Sequence, residues 1–289
     1  MQIGFLGLGD MGQPMARRVL ANGHRLVVWN RDPAKMEALV AQGAEPASSP
    51  AALMDRVDIV GLCVTSDRAV EAIAFGPEGL FSAAATEGKA VADFSTGSAD
   101  AARSFAERAA QQGADWVDAP VSGGVPAAVA GSLIVMAGGD AGAIARLEPL
   151  LSAVSQRVSH LGPSGCGQLM KLCNQMIVSC NVLVMAETIA LARKAGIDVS
   201  RFADTLKGGF ADSVPLQIFG PRMAAHSFEP RQTAIGLMKK DAGLAARLAE
   251  EFGMDTPMLQ RAVELYARGD IDADADVSRL IALHESLDR

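Results

Sequence analysis

The sequence predicts an α/β protein in two parts: a doubly wound, mostly parallel sheet over residues 1–162 and an all-helical domain over 163–289, joined by a long interdomain helix. Three observations carry this. Short apolar runs alternate with helical patterns up to about residue 160. At Leu161, Gly162 and Pro163 the pattern changes, and helical periodicity follows with almost no strand signal. Between the two, residues 165–195 contain no proline and no glycine after Gly167, so one helix of ~45 Å is expected, longer than one small domain needs.

The first run, QIGFL at 2–6, reads as a strand and ends in Gly7, Leu8, Gly9, Asp10, Met11 and Gly12. The pattern MGQPMARRVLANG then predicts a helix closed by Gly23, and HRLVVWN predicts a second strand. Strand, G-x-G-x-x-G, helix and strand within about thirty residues is the context in which this motif indicates dinucleotide binding in a Rossmann-type fold. Gly7 allows the tight turn, Gly9 lets the backbone approach a pyrophosphate, and Gly12 lets helix and strand pack closely. The helix N-terminus offers N–H groups and a positive dipole end to the phosphates.

The end of the second strand selects the cofactor. NAD-binding proteins place Asp or Glu there to accept from the ribose 2′-hydroxyl. This chain has Asn30 and Arg31. A guanidinium pairs with a 2′-phosphate, so NADP(H) is favoured over NAD(H), with Asp32 next to Arg31 acting against it.

Further strands are expected at 57–64, 89–94, within DWVDAPV at 115–121 and within SLIVMAG at 132–138. Val64, Thr65, Thr96 and the turn Ser122, Gly123, Gly124 are expected at the carboxyl ends of the parallel strands, where ligands bind. The Ser-Gly-Gly turn is either a plain turn or a nest of N–H groups suited to a carboxylate. Helices are expected at 99–112, 199–208, 213–223 and 231–252, after Thr256-Pro257, and from Asp276.

Lys171, Asn174 and Gln175 follow Gly167 at spacings of four, seven and eight and share a face of the long helix. Such a lysine is either a snorkelling surface residue or a placed catalytic amine. Lys239, Lys240 and Asp241 read by pattern as a solvated helix face.

Composition bounds the function. Apolar residues make up 49% and charged ones 20%, enough to bury a core. The net charge of −7 argues against a nucleic-acid partner. No apolar run is free enough of charge to be read as a membrane span, and no export signal is legible at the N-terminus, so a cytoplasmic protein is expected. Cys166, Cys173 and Cys180 recur every seven residues, too far apart for a disulfide or a zinc site; with Cys63 they are read as small buried hydrophobes, and no metal is expected. The apolar stripe of the long helix predicts a homodimer or homotetramer.

GFLGLGDMGQPMA at 4–16, DFSTGS at 93–98, DAPVSGGVPAAVAGSL at 118–133, GCGQLMKLCNQ at 165–175 and KKDAGLA at 239–245 together resemble the β-hydroxyacid dehydrogenase family over nearly the whole chain. The KLxNQxIVxxN form is most similar to its tartronate semialdehyde reductase branch, and the same architecture is shared by imine reductases, which generally lack the lysine. The resemblance implies NAD(P)-dependent transfer of a hydride between the cofactor and a short carboxylate substrate, a β-hydroxy acid or semialdehyde acid. It implies Lys171 as general acid and base, assisted by Asn174 and Gln175, with Ser122, Gly123 and Gly124 on the substrate carboxylate. Thr96 and Lys240 are implied to lie against the cofactor. Many relatives carry Leu-Pro where this chain has Cys63-Val64, and PRQTAIGLMKKD stands in place of a more usual Pro-Gly-Phe run. As a base near neutral pH, Lys171 would need a pKa below its usual ~10.4.

Overall fold

The computed structural model describes residues 2–268 and 272–285 and divides into two compact units, Met1–Lys171 and Leu172–Arg289. In the first, strands β1 (Gln2–Leu6), β2 (Arg25–Trp29), β3 (Glu45–Pro46), β4 (Ile59–Leu62), β5 (Ala90–Asp93) and β6 (Asp115–Asp118) form one parallel sheet in the order β3-β2-β1-β4-β5-β6. The chain order reverses beside β1, and the glycine loop leaves β1 at that switch point, where doubly wound sheets bind ligands.

Nearly continuous apolar strands imply burial on both faces, and the core shows it. Ile3, Phe5, Leu26 and Val28 join one apolar cluster, while Leu6, Val27, Val60, Leu62 and Val91 join another. The crossover helices Gly12–Ala21, Asp67–Phe75 and Ala99–Ala110 cover these faces. Ser66 and Ser98 cap the second and third through their side chains, accepting from Ala69 N and Ala101 N.

This unit differs from the sequence expectation in three places, the first being the short edge strand β3, which was not expected. The DWVDAPV segment is interrupted: β6 ends at Asp118, and Val121–Ser122 (β7) pairs antiparallel with Leu133–Ala137 (β8) in a separate three-stranded sheet. The turn 122–124 therefore lies beyond a strand of this second sheet, not at an edge of the large parallel one. The third strand, Ser155–His160 (β9), pairs parallel with β8 and was not expected; SQRVSH is polar and largely exposed, so it lacks the alternation that marks a half-buried strand. Asp118 and Gly138 exchange backbone hydrogen bonds across the two sheets, an isolated antiparallel bridge.

The helix Cys166–Lys194 begins in the first unit and continues into the second. By length and composition alone it is long and apolar enough to cross a membrane, with mean hydropathy 1.6 over 18 residues, contrary to the sequence expectation; half of that stretch is buried inside the protein. The cysteines also depart from their reading: Cys173 is exposed, and Cys63, Cys166 and Cys180 are half-buried.

The second unit is helical among its described residues: Val214–Ala225, Ile235–Glu251 and Pro257–Tyr266 pack with the long helix around Val182, Ile189, Met223, Ala242 and Leu259. The expected helix 199–208 is a 3-10 turn, Val199–Arg201, followed by the short helix Phe202–Leu206. The last element, Val277–Leu283, is a 3-10 helix capped by Asp276. Buried Asp276 also accepts from Gln232 N and Thr233 N and pins the segment leading into Ile235–Glu251.

Candidate active site

The glycine loop shows why each glycine is there. Gly7 has φ +84°, and a Cβ on it would overlap the Cys63 carbonyl oxygen and approach Val64 Cγ1 at 2.8 Å. At Gly12 a Cβ would overlap the Gly7 carbonyl oxygen and lie 3.0 Å from its carbon, so turn and helix can close only without one. Gly9 differs: its φ is not positive, and a Cβ there would meet nothing within 4 Å. Nothing among the described residues demands glycine at 9. The opening fits close approach of a phosphate group to the backbone, which is the test a dinucleotide site must pass. The helix Gly12–Ala21 has no side-chain cap and no acidic residue in its first turn, which leaves its positive end available to an anion. Leu8 is buried, Asp10 exposed and Met11 half-buried.

Asn30 braces this loop. Its Oδ1 accepts from Leu8 N at 2.9 Å and its Nδ2 donates to Asp32 O at 2.9 Å. Arg31 is exposed at the end of β2, and Asp32 Oδ1 accepts from Ala34 N as the cap of the turn Pro33–Met36.

Val64, Thr65 and Thr96 lie just past β4 and β5, and their loops are tied together. Val64 N donates to Ser95 Oγ at 3.0 Å, and Asp67 accepts from Ser98 N and from its hydroxyl, the latter at 3.0 Å. Asp93, buried at the end of β5, accepts from Ser95 N at 2.9 Å. Burial pushes its carboxyl up to about 7 against the pull of the Ser95 hydrogen bonds, with Asp118 and Asp67 adding to the rise. Burial, with Asp93 nearby, also pushes the Cys63 thiol up to about 12.

Ser122 closes β7, and Gly123 (φ +125°) and Gly124 (φ +65°) turn the chain into the helix Gly124–Ala130. Two successive positive φ values favour glycine at both positions.

The lysine helix is anchored at its first turn. Asp118 Oδ1 accepts from Gly165 N at 2.8 Å and Oδ2 from Gln168 N at 2.9 Å. Desolvation raises the Asp118 carboxyl to about 6, and these backbone donors, with that of Gly167, hold it down from rising further. Gln168 Nε2 donates to Ser95 O at 2.8 Å, and its Oε1 accepts from Gly97 N at 3.0 Å. Lys171 follows one turn later and is 7% exposed, a placed amine and not a snorkelling one. Within the second unit, Asn174 Nδ2 donates to Gln175 Oε1 at 2.9 Å, Gln175 Nε2 donates to Asp241 Oδ2 at 2.5 Å, and Lys240 Nζ lies 3.0 Å from Asp241 Oδ1. Lys240 therefore belongs to a buried polar cluster and is not part of a fully solvated face. Asp118 and Gln168 escaped the sequence reading, and Asp241, read there as part of a solvated helix face, is buried. The one signal for Asp118 and Gln168 is that both stand inside motifs already singled out, DAPVSGG and GCGQLMK.

Residues 2–162 match the model described as the NAD binding domain of 6-phosphogluconate dehydrogenase. Residues 165–284 match that described as the NAD-binding domain of NADP-dependent 3-hydroxyisobutyrate dehydrogenase. A fold and site of this kind define a nicotinamide-dependent oxidoreductase acting on a CH–OH group. The chain is 35% identical to the 2-hydroxy-3-oxopropionate reductase of Escherichia coli K12 over 266 residues, 92% of this chain and 90% of the relative. It is 34% identical to the 3-hydroxyisobutyrate dehydrogenase of Pseudomonas aeruginosa over 292 residues, 99% of this chain and 95% of the relative. A solved structure described as Psf3 in complex with NADP+ and 2-OPP superposes with TM-score 0.90 at 28% identity, over 97% of this chain and 99% of that one. The chain belongs to the β-hydroxyacid dehydrogenase family.

Proposed function

We propose that this enzyme interconverts a short β-hydroxy acid and the corresponding semialdehyde acid, of the tartronate semialdehyde or 3-hydroxyisobutyrate type, with NADP(H) in preference to NAD(H) and with Lys171 as general acid and base. The observation that carries the reading is a buried lysine amine one helical turn beyond an anchor to the Ser95-Thr96-Gly97 loop, in the same unit as the glycine cradle. The bound nicotinamide supplies the hydride. In the reducing direction Lys171, as ammonium, donates a proton to the carbonyl oxygen as the C–H bond forms; in the oxidising direction the neutral amine removes the hydroxyl proton. Ser122 and the N–H groups of the following glycines hold the carboxylate and so orient the reacting carbon. Asn174 and Gln175 steady the polar surroundings of the amine by hydrogen bonds. Exposed Arg31 favours the 2′-phosphate, with the neighbouring Asp32 acting against it.

The decay of nicotinamide absorbance with NADPH and NADH in parallel tests this, using tartronate semialdehyde, methylmalonate semialdehyde, glyoxylate and succinic semialdehyde. Rapid NADPH consumption with one of them, abolished in Lys171→Ala while cofactor binding stays near normal, is the expected result. Retained turnover in Lys171→Ala would remove the lysine from the mechanism. The same reading includes a homodimer or homotetramer, supported by the exposed residues Met170, Ile177, Val184 and Leu191, which recur every seven residues along the long helix. The absence of a nucleic-acid partner is part of the same reading on the acidic charge, and a cytoplasmic location is proposed with it on the N-terminal sequence.

A further inference from the structure

Gln168 is 2% exposed, and a buried amide is costly unless both of its ends find partners. Both do, on the two residues that flank Thr96: the Ser95 carbonyl oxygen and the Gly97 N–H. Gln168 stands three residues before Lys171, so the two are neighbours on one helix face. Alongside, Asp118 accepts from Gly165 N and Gln168 N, donors at the start of a helix that have no partner within it. The joint admits no extra atoms. A Cβ at Gly167 would come within 2.8 Å of Asp118 Oδ2, and one at Gly138 within 2.7 Å of Asp118 Oδ1. All of these residues belong to the first unit.

We propose that Gln168 is a positioning residue for proton transfer: its side-chain amide couples the Ser95-Thr96-Gly97 turn to the helical turn of Lys171, with Asp118 fixing the start of that helix. The amine and the loop that faces the cofactor then keep one spacing through the catalytic cycle. The inference rests on the reading of Lys171 as the proton-transfer group.

The test compares the full-length parent with Gln168→Met, Gln168→Glu and Lys171→Ala. Methionine keeps the length of the side chain and removes both hydrogen bonds; glutamate keeps an acceptor for Gly97 N and loses the donor to Ser95 O. Each is measured for kcat and KM per titrated active site, the isotope effect with [4-²H]NADPH, NADPH affinity and thermal midpoint. A displacement of the amine should lower kcat of Gln168→Met about 10- to 100-fold, because misplacement by a fraction of an ångström to an ångström is felt on this scale. Substrate KM should change less than about threefold, the mark of an effect on the transition state and not on binding. The isotope effect should rise as the chemical step becomes limiting, and Gln168→Glu should fall between parent and Gln168→Met. A merely structural role would lower the thermal midpoint and the titrated fraction but leave kcat per active site and the isotope effect at parental values; that result overturns the proposal. If Gln168→Met does not fold, parental kcat and isotope effect in Gln168→Glu overturn it equally. Retained turnover in Lys171→Ala defeats the lysine reading itself and is recognisable without the Gln168 variants.

Discussion

Gly9 and Gly12 stand three residues apart in one loop, and alanine should do opposite things at the two. At Gly9 the added Cβ meets no atom of the described residues within 4 Å beyond its chain neighbours, and the backbone needs no left-handed conformation. Alanine there restricts the unfolded chain more than the folded one, a gain of ~0.4–1 kcal/mol. In a unit of this size that is a rise of roughly 1–4 °C in melting temperature. The methyl group would instead stand where a pyrophosphate approaches, so NADPH affinity should fall at least ~10-fold, or ~1.4 kcal/mol. At Gly12 the Cβ overlaps the Gly7 carbonyl oxygen, and Phe5 Cε1 at 3.3 Å closes another side. Relieving that overlap means opening the turn or lifting the helix, an overpacking cost of about 1–3 kcal/mol. Gly12→Ala should therefore melt roughly 2–12 °C below the parent and lose cofactor affinity as a consequence. Calorimetry of the apo proteins and fluorescence titration with NADPH separate the cases. Undiminished NADPH binding by Gly9→Ala, or a loss of apo stability in it, would refute the view that Gly9 is glycine for a ligand's sake.

Arg31→Ala should lower kcat/KM for NADPH about 10-fold or more while changing that for NADH little, since a charge-assisted hydrogen bond to the 2′-phosphate is worth ~1.5–3 kcal/mol; equal effects on the two cofactors would contradict the assignment. Asp93 offers a pH test. Its carboxyl is raised from 3.8 to about 7, so the folded state holds a proton that the unfolded state has lost between these values. The contribution of Asp93 to stability is therefore greatest below pH ~4, declines as pH rises towards ~7 and is constant above, on the order of 4 kcal/mol in all. Asp93→Asn should flatten that decline and be more stable than the parent at pH 8 in urea titrations; a parental slope in the variant would show that Asp93 does not titrate in this range. Ile177→Asp combined with Leu191→Asp, both exposed apolar positions, should reduce the mass measured by light scattering to that of one chain, and an unchanged mass would place the assembly surface elsewhere.

Much of the architecture is legible along the chain because it repeats locally. β1 runs from Gln2 to Leu6 where its apolar run predicted it, and the long helix runs from Cys166 to Lys194 within the expected 165–195, because strand alternation and an unbroken helical segment are properties of neighbours in sequence. The spacing of Gly7, Gly9 and Gly12 is similarly local. What proximity in sequence does not record stayed hidden. β9 is a strand only because β8 offers it a partner, and its polar residues show no pattern of their own. DWVDAPV reads as one strand until the bridge between Asp118 and Gly138 turns the chain into a second sheet.

The site divides along the same line. Lys171, Asn174, Gln175 and the turn at 122–124 could be picked out as unusual residues in apolar or glycine-rich settings. Asp118 and Gln168 could not, because an aspartate closing a strand and a glutamine opening a helix ordinarily face solvent. Asp118 meets Gly165 and Gln168 across 47 and 50 residues of chain, and Gln168 meets Gly97 across 71. The sequence by itself determined which elements form and which chemical groups are available. Tertiary structure decided which polar groups lose their water, and burial is what turns Asp118, Gln168 and Lys171 from ordinary side chains into parts that must be paired and held in place.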